Sequence, residues 1–307
     1  MLSYIIRKLL YSLLVLVGVI VMTFFIRPPG DPARVMLGQR ADSASVAALR
    51  TKMGLDLPLL VQVGSYAWNL VTHLDMGRSL ATDASVAETI AERFPATALL
   101  AGTSMAIATI VGIFLGLIAS WKPNTWIDST AMALSLTGIS IPSFVVGLLF
   151  VILFGVTLEW FPNSGYVDRG AAYLVLPMIT LAIRPMSVIA RVTRSSLLDV
   201  LGQDYIRTAR AKGLATTTVY LRHALRNALN PVVTTVSAWF AGLLAGTYFI
   251  EFVFNWPGIG LAAFNAIEKL DYPMIQGTVL FTAVVFVIVN IASDILYAFI
   301  DPKVRLQ

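Results

Sequence analysis

The chain has no cysteine, only two histidines, and charged side chains at just 13% of its positions. Without cysteine there is no structural disulfide and no thiolate metal site. His73 and His223 are far apart in the sequence, so no histidine cluster exists to hold a metal or carry acid–base catalysis. No Gly-x-x-x-x-Gly-Lys-[Ser/Thr] loop occurs, and ATP therefore has no cradle of the usual kind. A Gly-x-Ser-x-Gly elbow and a clustered carboxylate pair are missing too. These absences argue against an enzyme. The scarcity of charge says more. Soluble domains carry roughly a quarter charged residues, and this chain has too few to cover its apolar mass.

Apolar residues make up 57% of the sequence and the mean hydropathy is +0.79, which points to an all-α integral membrane protein. A hydrocarbon core of about 30 Å requires roughly 20 apolar residues of helix. Six segments qualify: Leu9–Ile26, Ala96–Ser120, Ala131–Leu158, Ala171–Ala190, Val232–Ile250 and Met274–Ile300. The first is long for a signal peptide. It runs into Arg27-Pro-Pro-Gly-Asp-Pro32 rather than a small-residue cleavage site, so it reads as a retained helix. The net charge of +5 does not indicate nucleic acid, because the basic residues sit at helix ends and are not interleaved with aromatics.

The positive-inside rule sets the orientation. With both termini cytoplasmic, the inner segments hold twelve Lys and Arg against four acids, and the outer segments nine against twelve. The balance is +8 inside and −3 outside, and the reverse orientation violates the rule.

Two polar stretches are long. The outer one, Arg27–Pro95, holds an amphipathic piece around Leu59–Leu74, read either as a cap on the external face or as a contact for an external partner. The inner one, Arg191–Asn230, contains the basic run Asp204-Tyr-Ile-Arg-Thr-Ala-Arg-Ala-Lys-Gly213. Ser195 or Ser196 is expected to cap a helix running through Lys212, with Gly213 as its stop. Thr217 then starts a second helix bearing Leu221 and Leu225 beside Arg222 and Arg226, and Pro231 opens the fifth span. Two short amphipathic helices of this kind suit docking into a groove of another protein.

Inside the spans, Gly112-x-x-x-Gly116 and Gly242-x-x-x-Gly246 permit close helix approach, either within the chain or against a second membrane subunit. Pro142 is expected to kink the third span. Trp256-Pro-Gly-Ile-Gly260 reads as a turn entering or lining the membrane. Arg184 and Asp294 are the only charges well inside spans. Each precedes a boundary residue, Arg191 or Asp301, by seven positions, or about 10 Å of helix. Equal depth allows an ion pair between the fourth and sixth helices; the alternative is that each side chain snorkels to the interface.

Taken in order, several of these segments resemble one family. Tyr205-Ile-Arg-Thr-Ala-Arg-Ala-Lys-Gly213 followed by Arg222-His-Ala-Leu-Arg-Asn-Ala-Leu-Asn-Pro231 is similar to the cytoplasmic coupling loop of peptide/nickel-type ABC importer permeases. Pro29-Gly-Asp-Pro32, Met53-Gly-Leu-Asp-Leu-Pro58, Asp75-Met-Gly-Arg-Ser79, Arg93-Phe-Pro-Ala-Thr97, Trp256-Pro-Gly-Ile-Gly260, Asp271-Tyr-Pro273 and Asp301-Pro302 resemble family landmarks in the expected order. The chain looks like the first of the two permease subunits of a dipeptide or oligopeptide system. The resemblance implies a type I importer fold with six helices in a bacterial inner membrane. It also implies a second homologous permease, two ATPase subunits and an external solute-binding protein. ATP and magnesium would bind the ATPases, with no cofactor in this chain.

ATPase coupling falls by position to Arg207, Thr208, Ala209, Arg210, Ala211, Lys212 and Gly213. The glutamate that opens this motif in other importer branches is replaced here by Arg207, so its contact does not carry over. The implied organisation is an N-terminal helix plus external segment (1–95) and a transmembrane core (96–300) carrying the coupling loop (191–230). A cytoplasmic tail (301–307) completes it. A di- or oligopeptide is the expected cargo, with a nickel chelate, glutathione or a sugar as alternatives within the family. An ATP-independent secondary transporter would instead call for inverted repeats or more intramembrane carboxylates, and neither is evident.

Overall fold

The computed structural model describes residues 2–25, 32–37, 42–52, 54–245 and 247–300. Most of the Pro29–Pro32 landmark, Met53, Gly246 and the tail with Asp301-Pro302 lie outside the described residues. The helices, in order, are α1 (Leu2–Phe25), α2 (Pro32–Leu37), α3 (Ser43–Lys52), α4 (Leu59–His73) and α5 (Val86–Trp121). Next come α6 (Trp126–Ser140), α7 (Ser143–Phe150), α8 (Ala172–Leu201) and α9 (Asp204–Ala211). The remainder are α10 (Thr216–Thr218), α11 (Leu225–Ala245), α12 (Tyr248–Val253), α13 (Ile259–Glu268) and α14 (Tyr272–Ile300). Wider π-helical turns extend α7 over Val151–Thr157 and join α10 to α11 over Val219–Ala224. Among the described residues β pairing is confined to an isolated antiparallel bridge, Arg78 to Ser85.

Among the described residues five helices are long and apolar enough to cross a membrane: Ile6–Phe25, Val86–Trp121, Ala172–Leu201, Thr216–Ala245 and Tyr272–Ile295. The sixth expected span is a broken pair, Trp126–Ser140 and Ser143–Thr157, bent by 100°. The cause is local. A proline ring disfavours the α region for the residue before it, and Ile141 is extended at φ −90, ψ 130. Pro142 then opens α7 instead of interrupting it, at φ −57, ψ 135. The expected kink is therefore a full break.

Three further expectations need correction. α8 does not end at Ala190 but runs on to Leu201, so Ser195 and Ser196 are mid-helix; the Ser195 hydroxyl donates back to the Arg191 carbonyl at 3.1 Å. Pro231 lies within α11 and does not start it. The fifth span begins earlier than Val232 and its helix ends at Ala245.

The chain divides into two compact units. The first comprises Met1–Thr97 with Pro257–Val287. Here Ile20, Phe24 and Leu280 are buried together, ringed by Leu16, Val19, Val63, Tyr66 and Leu70, which seats α4 on the second half of α1. A second cluster gathers Val86, Ile90, Ile259, Ala262, Ala266 and Met274. Phe94 meets Phe281 edge-on, with centroids 5.2 Å apart. In the polar part of this unit the Thr51 hydroxyl donates to Asp56 at 2.7 Å and Arg50 pairs with it at 3.1 Å. These partners hold the Asp56 carboxyl below its usual range.

The second unit comprises Ala98–Trp256 with Ile288–Gln307. α8 is its centre, packed by α6, α7 and α11. α5 approaches α8 closely because Gly112 and Gly116 have no side chain. A Cβ on Gly112 would stand 2.8 Å from the Met186 carbonyl oxygen, and one on Gly116 2.5 Å from the Thr193 Cβ. So this glycine pair packs internally. Gly242 differs, for a Cβ there would meet nothing within 4 Å.

Gly116→Val should therefore destabilise the fold by about 1–3 kcal/mol, the usual cost of overpacking, whereas Gly242→Val should not disturb the isolated chain. Thermal unfolding of both variants in detergent checks this; equal melting temperatures would refute the close contact.

Candidate functional site

The basic segment forms α9 and the turn after it. Gln203 precedes the helix in an extended conformation, and Asp204 occupies the first turn, where a carboxylate suits the helix N-terminus. The helix presents two distinct faces. Ile206 and Ala209, three residues apart, are buried in a cluster with Leu197, Val219, Ala224 and Ala228. Arg207, Thr208, Arg210, Ala211, Lys212 and Gly213 are exposed. Ala209 thus belongs to the anchoring face; the other six residues form the outward surface. Arg207 is lightly tethered to Asp204 at 3.4 Å, with both side chains in solvent, a contact worth little in water.

Gly213 ends the helix. Its amide donates to the Arg210 carbonyl at 2.9 Å and its φ is +79. A Cβ there would meet nothing within 4 Å, so the sign of φ, not crowding, is what requires glycine. The chain then turns through Ala215 into the next helix, whose buried residues are Val219, Tyr220 and Ala224. Leu221, expected to share an apolar face with Leu225, is instead 54% exposed.

Three contacts anchor this element, and sequence reasoning missed all of them. The Tyr220 hydroxyl donates to the Ser120 carbonyl at 3.0 Å, and its ring lies 4.7 Å from that of Trp121. Asn227 donates through Nδ2 to the Tyr205 hydroxyl at 2.7 Å. The strongest is a two-pronged ion pair. Arg194 Nε and Nη2 donate to Asp128 Oδ1 and Oδ2 at 2.5 and 2.6 Å. Asp128, only 3% exposed, also accepts from the Asn124 amide at 2.9 Å, which fixes the turn between α5 and α6. The only advance signal was Asp128 in the first turn of a helix.

The intramembrane charges fall elsewhere. Arg184 is exposed on α8 and Asp294 half-buried on α14. No group of three His, Cys, Asp or Glu that could hold a metal ion occurs among the described residues.

The chain has relatives among known proteins. Residues 112–306 match the family described as binding-protein-dependent transport system inner membrane component. Residues 1–101 match the N-terminal part of the same kind of component. The chain is 43% identical to the glutathione transport system permease protein GsiC of Salmonella typhi, over all of both chains. It is 42% identical to a putative peptide transport system permease protein of Brucella abortus, over 99% of each. Among solved structures it resembles an inward-facing MetNI methionine ABC transporter chain (TM-score 0.57, 18% identity), with 69% of this chain and 96% of that one covered. The chain belongs to the binding-protein-dependent transport family. It is a multi-pass inner-membrane permease subunit of an ABC importer.

Asp128→Ala should cost about 3–5 kcal/mol, because it leaves Arg194 partly buried without its partner. Removing both charges with apolar residues of similar size should cost less. Thermal unfolding of single and double variants tests this, and an unaltered single variant would refute the role of the pair.

Proposed function

We propose that the outward face of α9 and the Gly213 turn form the surface through which separate ATPase subunits drive this permease. The observation that supports the reading is the division of α9. Ile206 and Ala209 are locked into the core of the second unit, while Arg207, Thr208, Arg210 and Lys212 are offered to solvent. A cationic ridge on a rigid base fits an acidic or polar cleft on a partner. In this reading both termini face the cytoplasm, where the basic loops lie, and ATP and magnesium are held by the ATPases alone. A second homologous permease and an external solute-binding protein complete the importer. Gly242 offers an uncrowded helix face for the second permease.

The cargo we propose is a di- or oligopeptide. Relatives over 40% identical carry names for peptide and for glutathione transport, and glutathione is itself a tripeptide. The common chemistry is a short chain with a free amine, carboxylates and amide bonds.

The test is the complete importer in nanodiscs. Binding protein loaded with a tripeptide should stimulate ATP hydrolysis in the wild type. The double variant Arg207→Glu, Arg210→Glu should still assemble with the second permease but lose that stimulation. Stimulated hydrolysis at the wild-type rate in the variant would sink the coupling assignment. Stimulation by other solutes and by no peptide would sink the cargo alone.

The pairing of Arg184 with Asp294 is retained as a proposal for the assembled transporter, since an exposed arginine in a span calls for an acceptor. Arg184→Asp and Asp294→Arg should each impair assembly and together restore it. Failure of the double reversal to rescue complex yield would rule the pair out.

A further inference from the structure

α4 is unlike the other helices of the first unit. It has 15 residues, about 22 Å of helix, too short to cross a bilayer. Yet no Asp, Glu, Lys or Arg occurs between Asp56 and Asp75. At about 100° per residue its side chains fall into three sectors. Val63, Tyr66 and Leu70 pack onto α1. Gln62, Ser65 and Asn69 form a polar sector lining a cleft of about 380 Å³ together with Tyr272 and Gln276. The third sector is apolar and uncovered: Leu60, Trp68 and Val71 are 83%, 68% and 78% exposed.

The location of this uncovered sector says what meets it. α4 rests on a stretch of α1 from Leu16 to Phe24, about 12 Å of a membrane-spanning helix. Over the same length α1 turns Val17 and Met22 outward, each at least 50% exposed, and Phe25 just beyond it is 71% exposed. A helix packed beside a span at that depth shares the surroundings of the span. We propose that α4 is an interfacial helix, with Leu60, Trp68 and Val71 immersed among acyl chains at the membrane surface reached by the C-terminal end of α1, and its polar sector turned to the cleft.

The chemistry agrees in detail. Interfacial helices combine an apolar face with an aromatic anchor at headgroup level, and Trp68 supplies one. Burial pushes the Tyr66 phenol up to about 12, with Tyr272 and Asp75 adding to the effect. A protein-docking surface of equal size would carry a charged or polar rim, whereas the apolar sector of α4 belongs to a helix seated on a span whose own outward residues are apolar. The lipid contact ties the cleft behind α4 to the membrane surface, independently of the cargo and of the ATPase contact.

The absence of cysteine from the chain makes the test direct. Single cysteines are placed at Leu60, Val71, Ser65 and Asn69, with Ser45 on α3 as an exposed reference. The full-length chain is nitroxide-labelled in nanodiscs of phosphatidylethanolamine and phosphatidylglycerol. Collision with oxygen, which partitions into lipid, should exceed collision with a water-soluble nickel chelate at 60 and 71. The order should reverse at 65, 69 and 45. Nickel-chelate collision dominating at both 60 and 71 overturns the proposal. So does shielding of those two positions that appears only when a soluble binding protein is added. Two lipid-facing sites are used so that one poorly folding variant leaves the other to decide.

Discussion

In hydrocarbon no water is present to pair with a backbone amide or carbonyl, and each one left unpaired costs several kcal/mol. The architecture follows from that constraint. Helices carry the membrane part of the chain because they satisfy the backbone within one segment. Where proline intervenes, hydroxyl side chains cluster at the disturbance. Thr137 and Ser140 donate to the Ala133 and Leu136 carbonyls just before the break at Pro142. On α8, which contains Pro177 and Pro185, Thr180 and Ser187 donate to Leu176 and Ile183. A hydroxyl bonded to its own helix brings no exposed polarity into lipid. Such residues are therefore tolerated in spans that carry few other polar groups.

The same reasoning explains why α9 is built as it is. Eight residues are too few to hold a helix in water, so α9 exists only because Ile206 and Ala209 are buried beneath it. Its charges complement the helix dipole, Asp204 at the start and Arg210 at the end. Because its stability comes from the core and not from itself, a load on its outer face is transmitted to what it packs on. Tyr220 on Ser120, and the Arg194–Asp128 clamp between α8 and α6, extend that base to the ends of three helices. In the proposed coupling role, that base would carry a partner's push from α9 into the spans.

The features legible in the sequence were those written in local chemistry. Five spans followed from length and apolarity, a kink though not the full break from Pro142, and the helix stop from Gly213. What escaped was tertiary or depended on phase. The fourth span is expected to end at Ala190, just before Arg191, but a helix leaving lipid meets no penalty in water, and α8 continues to Leu201. Arg194 and Asp128 stand 66 residues apart, so only the fold joins them. The face of the second loop helix was misassigned for a geometric reason. The π turn over Val219–Ala224 inserts about one extra residue per turn and so rotates the apolar stripe by about 100°. Burial centres on Val219, Tyr220, Ala224 and Ala228, with Leu225 half-buried against them and Leu221 left exposed.

The short polar motifs that seemed unrelated along the chain turn out to be partners. Asp271, 2% exposed, accepts from the Ser79 hydroxyl at 2.5 Å and from the Leu80 amide at 2.9 Å. The same carboxylate meets the Met274 amide at 3.4 Å in the first turn of α14, the place where a capping side chain satisfies a free N–H. One buried acid thus caps a helix and holds a turn 191 residues away. Thr97 does the same for α13, accepting from the Ile259 amide at 2.9 Å. Apolar packing can be remade by many side chains of similar volume; a buried carboxylate with four donors, the Ala81 amide at 3.4 Å being the fourth, cannot. That asymmetry explains how such motifs stand out in a sequence otherwise dominated by interchangeable aliphatic residues.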